Sequence, residues 1–130
     1  MNHGLIDVSM RDEALIRLRP VLKLENPIQP LAPFQEVLRS VLKLQNPLFV
    51  QFSKHFLSNK YKGYMQRDDA VKLELLHQSL KKDIPFKKTL IGLVVGMFTE
   101  TEMAFYLENE QEINKRLIEF LYKRLSSQMI

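Results

Sequence analysis

"DIPFKKTLIGLVVGMFTETEM" (residues 83–103) decides the fold class. Asp83 followed by Pro85 is the pattern of an N-cap and a proline in the first helical turn. Thr99 with Glu102 three residues later is a capping-box pair, and Phe98 and Met103 stand in hydrophobic-staple positions around it. Two helix starts therefore bracket the most apolar run of the chain, residues 90–98. At nine residues that run is far short of the roughly 20 needed to span a bilayer, so it reads as a core helix.

The same periodicity extends in both directions. Downstream, Asn109 and Glu112 repeat the capping pattern before a last helix over about residues 110–128, with Ile113, Leu117, Phe120, Leu121 and Leu125 inward. Glu112→Arg116 and Glu119→Lys123 are i,i+4 pairs on its wet face. Upstream, a helix over about residues 67–82 places Leu73, Leu76 and Leu80 at core spacing, after a loop at residues 59–67 that holds Gly63. Residues 34–45 form a further helix with Val37, Leu38, Val41, Leu42 and Leu44 on one side. Asn46 before Pro47 then reads as an N-cap opening a second helix, or a kinked continuation, to about Asn59, with Leu48, Phe49, Phe52 and Phe56 inward. No segment alternates as a strand does, and no Asn-Gly or Asp-Gly hairpin signal occurs. The expectation is an all-α protein: a five- or six-helix bundle over residues 34–130, with a proline-rich extended N-terminal arm over residues 1–33. A short helix opening at Ser9 and ending before Pro20 belongs to that arm, and Pro27, Pro30 and Pro33 stiffen the connector after it.

One ten-residue phrase is written twice, "LRPVLKLENP" (residues 18–27) and "LRSVLKLQNP" (residues 38–47), with eight of ten letters shared. Ser40 lets the second copy run as a helix, whereas Pro20 breaks the first. The first copy thus becomes a candidate docking arm, presenting Leu18, Val21, Leu22 and Leu24 to its own bundle or to a neighbour's. Those side chains are worth about 1.5–3 kcal/mol each when fully buried.

At 130 residues, 45% hydrophobic and 26% charged, the chain has the length and composition of one globular domain. It has no cysteine, which excludes disulfides, thiolate nucleophiles and cysteine-held metals and fits a reducing compartment. Its first residues lack the basic and apolar regions of a signal peptide, so a cytoplasmic address without a membrane partner is expected. The net charge of +4 is unevenly distributed. Residues 37–67 carry Arg39, Lys43, Lys54, Lys60, Lys62 and Arg67 and no acid. Residues 89–114 carry Glu100, Glu102, Glu108, Glu110 and Glu112 and no base.

The stretches "VLKLQNPLFVQF", "NKYKGY" and "KKDIPFKKTLIGLVVGMFTETEMAFYLENEQEINKRLIEFLYKRLSSQ" resemble a group of small bacterial proteins, found in Bacteroidetes-type genomes, that often carry the label glyoxalase. The resemblance covers about residues 41–128 and is most specific at residues 82–99 and at Asn114-Lys115-Arg116. It supplies a grouping without an activity. Glyoxalase chemistry uses His and carboxylate metal ligands on a β-rich fold, and this chain has three histidines and no sign of such a sheet.

Other constellations are thin. Glu74 and His77 make one ExxH, where a di-iron bundle needs two such motifs and two further glutamates. The serines sit in no G-x-S-x-G elbow, and Ser53 and His55, two apart, do not share a helix face. Gly92 and Gly96 lack the Lys-Ser/Thr of a phosphate loop and read as a close-approach surface for a neighbouring helix. No catalytic residue, cofactor or metal is expected. The expected function is a non-enzymatic helical protein-interaction module, as a homodimer or a subunit of a larger assembly, through the arm and the acidic face Glu100, Glu102, Glu108, Glu110 and Glu112. The alternative is an RNA-binding accessory protein that tracks phosphates with Lys54, Lys60, Lys62 and Arg67 and stacks bases on Tyr61 and Tyr64.

Overall fold

The computed structural model of the chain describes residues 8–20 and 32–130. These form six α-helices: α1 (Val8–Leu18), α2 (Ala32–Lys60), α3 (Asp69–Lys82), α4 (Ile84–Val95), α5 (Glu100–Glu108) and α6 (Glu110–Ser126). A 3-10 turn at Tyr64–Gln66 joins α2 to α3, and no strand occurs among the described residues. The protein is an all-α bundle. The proline-rich connector, with Val21, Leu22 and Leu24 of the candidate arm, lies outside the described residues.

The apolar helix α4 packs against α2, α3 and α6. Phe86, Leu90 and Val94 form its buried stripe. Leu38, Val41, Leu42 and Phe49 of α2, Leu76 and Leu80 of α3, and Ile113, Leu117, Leu121 and Leu125 of α6 complete the core. Each set repeats at three- and four-residue spacing, as a helix with one dry face requires. Phe52 and Phe56 pack against Phe86, with ring centroids 5.9 and 5.0 Å away.

Both helix starts in residues 83–103 form. Asp83 Oδ1 accepts from the Phe86 N–H at 3.2 Å. Thr99 Oγ1 accepts from the Glu102 N–H at 3.2 Å while Glu102 Oε1 accepts from the Thr99 N–H at 2.9 Å, completing the capping box. The third start differs. Asn109 makes no side-chain cap for α6; its Nδ2 turns back and donates to the Phe105 carbonyl at 2.9 Å, closing the end of α5 instead.

Of the two readings at Asn46-Pro47, the continuation holds: no new helix opens there. A single 29-residue helix runs through Pro47. Pro47 has no N–H to offer the turn before it, but it is exposed, so water can serve the freed carbonyl. Asn46 is held by the opposite end of the chain: its Nδ2 donates to Gln128 Oε1 at 2.8 Å and its Oδ1 accepts from Gln128 Nε2 at 2.9 Å. Neighbouring Gln45 donates to the Leu93 carbonyl of α4 at 3.0 Å. These tertiary bonds replace the capping role.

The glycine pair of α4 also lacks its expected neighbour. A Cβ at Gly92 would meet nothing within 4 Å, so this glycine faces open space rather than a close-packed helix. Gly63 has a positive φ of 68°, the left-handed conformation that lets the chain turn sharply after α2.

Candidate functional site

α1 is attached to the bundle by its charged side. Arg11 donates to the Phe98 carbonyl at 2.9 Å and to the Gly96 carbonyl at 3.1 Å. Arg19 donates to the Met97 carbonyl at 2.9 Å and grips both oxygens of Glu102, at 2.7 and 2.5 Å. Asp12 accepts the Glu100 N–H through both carboxylate oxygens, at 3.2 and 3.3 Å. Two arginines thus meet the carbonyls that follow α4, and one aspartate meets an N–H in the first turn of α5. This is the arrangement that the orphan groups and dipoles of two helix ends favour.

Glu102 stands at the centre of this joint. Burial by itself would raise its pKa, but the Arg19 guanidinium and the Thr99 backbone N–H outweigh burial and hold the carboxyl below its ordinary value. Of the five glutamates of the acidic face, Glu102 is therefore engaged inside the molecule. Glu100, Glu108, Glu110 and Glu112 are exposed, and Glu112 pairs with Arg116 at 3.4 Å.

With Arg11, Asp12 and Arg19 turned toward the bundle, α1 leaves Met10, Ile16 and Leu18 in water beside the exposed Glu13 and Arg17, at 64%, 56% and 60% exposure. Met10, Ala14 and Leu18 follow one another at four-residue spacing along one flank, and Ala14 is exposed as well. Leu18 is the single candidate-arm residue within the described part of the chain, and it does not dock on its own bundle.

The basic face is assembled differently from its sequence order. Tyr64 is buried, at 1% exposure, and its hydroxyl donates to the Lys72 carbonyl at 2.9 Å. It offers no face to a base, which corrects the stacking role expected of it. Burial pushes its phenol up to about 12. Lys60 pairs with Asp83. Arg67 donates to the Lys62 carbonyl at 3.0 Å and lies 5.9 Å from the centre of the half-buried Tyr61 ring, which Lys60 approaches to 5.7 Å. Lys62 is exposed and Lys54 half-buried. The left-handed turn at Gly63 explains the difference, because it returns the 3-10 turn carrying Tyr64 against α2.

A second basic surface forms where α3, α4 and α6 meet. It is a cleft of about 560 Å³ lined by Lys81, Lys87, Lys115 and Lys123 around Leu80, Ile118 and the His77 and Tyr122 rings. The two rings meet edge to face with centroids 4.8 Å apart. Glu119 is the only carboxylate of the lining. The i,i+4 spacing predicts a Glu119–Lys123 pair, but no ion pair forms there, and both residues line the cleft. Sequence reading misses this surface because its lysines come from three helices and never form an acid-free window. The available signal was helical spacing: His77 and Lys81 are four apart, and Lys115, Ile118, Glu119, Tyr122 and Lys123 share one face of α6.

Glu74 and His77 gather no further ligands, and no group of three or more His, Asp or Glu side chains suited to a metal occurs among the described residues. No helix among the described residues is long and apolar enough to cross a membrane. No protein-family model, no curated protein and no solved structure matches the chain.

Proposed function

We propose that the protein is a non-enzymatic helical interaction module that pairs with a second copy of itself through α1. The observation that carries this reading is the attachment of that helix by Arg11, Asp12 and Arg19 while its apolar Met10, Ile16 and Leu18 stay in water. An amphipathic helix docked only within its own chain would turn those side chains inward. Charge segregation supports a self-complementary contact. The exposed Glu108, Glu110 and Glu112 of one copy complement the exposed Lys62 and neighbouring cations of another, and a two-fold axis makes that match twice. The RNA alternative has less to stand on, with Tyr64 buried, Lys60 paired and Arg67 tied to backbone.

Light scattering on a sizing column tests the reading. The full chain is expected to run as a dimer at about 100 μM, and Met10→Asp with Leu18→Asp to shift it to monomer without altering helix content. A wild-type monomer at that concentration overturns the proposal, as does a dimer untouched by the double substitution.

A further inference from the structure

The cleft between α3, α4 and α6 has no part in the pairing of α1, and its chemistry is specific. Four lysines and one carboxylate, Glu119, line one concavity, a net excess of three positive charges. No ion pair joins Lys81, Lys87, Lys115 or Lys123 to a carboxylate among the described residues. The nearest fixed partner is a backbone oxygen, the Lys81 carbonyl, 3.5 Å from Lys87 Nζ. Like charges gathered over a low-dielectric wall repel one another and focus a positive potential into the cleft. An anion entering there relieves that repulsion.

The floor limits what kind of anion fits. Ile118 and the Tyr122 ring are apolar and half-buried, so a bare inorganic ion would leave their exposed parts wet. The volume of about 560 Å³ lies within the range of roughly 300–1,000 Å³ usual for small-ligand sites. The His77 and Tyr122 rings pack edge to face with centroids 4.8 Å apart, which steadies an aromatic wall for a planar group. We propose that this cleft binds a small phosphorylated compound with a planar organic body, the phosphates meeting the lysines and the planar group meeting Tyr122.

Isothermal titration calorimetry on the full-length chain with three probes separates the parts. These are metal-free ATP, inorganic pyrophosphate and adenosine, each at low and at physiological salt. ATP is expected to bind with a Kd below 100 μM at low salt, pyrophosphate at least fivefold more weakly, and adenosine not measurably. Lys115→Glu with Lys123→Glu is expected to weaken ATP at least tenfold, while Tyr122→Leu weakens ATP and leaves pyrophosphate unchanged. As a control for diffuse attraction, Lys43→Glu with Lys54→Glu, away from the cleft, is expected to change ATP affinity less than twofold. The proposal is overturned if ATP shows no binding at 1 mM, if the two charge-reversal pairs weaken it equally, or if Tyr122→Leu has no selective effect. Circular dichroism of each variant separates lost binding from lost folding.

Discussion

Replacing Glu102 by Gln removes one charge from the joint between α1 and the bundle and leaves the shape almost intact. Glutamine still accepts the Thr99 N–H, so the capping box survives. What goes is the charge that Arg19 grips through two nitrogens at 2.7 and 2.5 Å. The two side chains are only 10% and 16% exposed, so water screens the pair little. Hydrogen bonds to charged groups are worth about 1.5–3 kcal/mol net. Glutamine keeps one neutral acceptor for Arg19 and escapes the desolvation cost of a carboxylate, and both offset part of the loss. The expected destabilisation is about 1–2 kcal/mol at pH 7. Glu102→Ala also loses the bond to Thr99 and is expected to cost about 1 kcal/mol more.

Urea unfolding of wild type, Glu102→Gln, Arg19→Gln and the double variant closes a cycle whose coupling is expected at about 1–2 kcal/mol. The pH dependence follows from the lowered pKa of Glu102. A carboxyl depressed in the folded state contributes stability above its unfolded pKa near 4.5 and loses it as pH falls through the folded value. Wild type and Glu102→Gln therefore differ most at neutral pH and converge in acid. A coupling under about 0.3 kcal/mol, or an undiminished gap at pH 3, refutes the reasoning.

Asp83 is likewise held below its ordinary value: burial works against the ionised form, and Lys60 with the Phe86 N–H prevails. Asp83→Ala is expected to lose about 1 kcal/mol of cap energy, read by denaturant midpoint, whereas Asp83→Asn keeps most of it. Gly92 sits exposed in the interior of α4 with open space at its Cβ, so Gly92→Ala is expected to stabilise by about 0.5–1 kcal/mol in thermal unfolding. Ser53 Oγ is buried without a hydrogen-bond partner, so Ser53→Ala is expected to be neutral or stabilising by up to about 1 kcal/mol in the same measurement. Tyr64, with its pKa raised to about 12, is expected to remain un-ionised at pH 11 in ultraviolet titration. Its contribution to stability is complete below pH 10 and declines as pH rises toward 12.

The helices were legible wherever short-range chemistry decides the outcome. Asp83 with Pro85 and Thr99 with Glu102 act within one turn, so their spacing alone announces two starts. Asn109-Glu112 and Asn46-Pro47 carry equally good local signals and go elsewhere. Asn109 is taken by the Phe105 carbonyl and Asn46 by Gln128, 82 residues away, and no local rule registers such a competitor. The same limit governs the surfaces. Lys54 to Arg67 look like a site because they are consecutive, yet Asp83 and the backbone claim two of those cations. The lysine cleft looks like nothing in sequence because Lys81, Lys87 and Lys115 meet only after three helices have packed.

The Asn46–Gln128 amide pair has a bearing on biosynthesis. Its two halves lie 82 residues apart, and the first is made long before the second. At about 5–20 residues per second, the ribosome takes roughly 4–16 s to travel between them. Once α2 is complete, within that interval, its core residues Val41, Phe49 and Leu57 wait for α6 to cover them. The Asn46–Gln128 pair closes only once α6 has been made, and until then the apolar stripe of α2 lacks one of its covers.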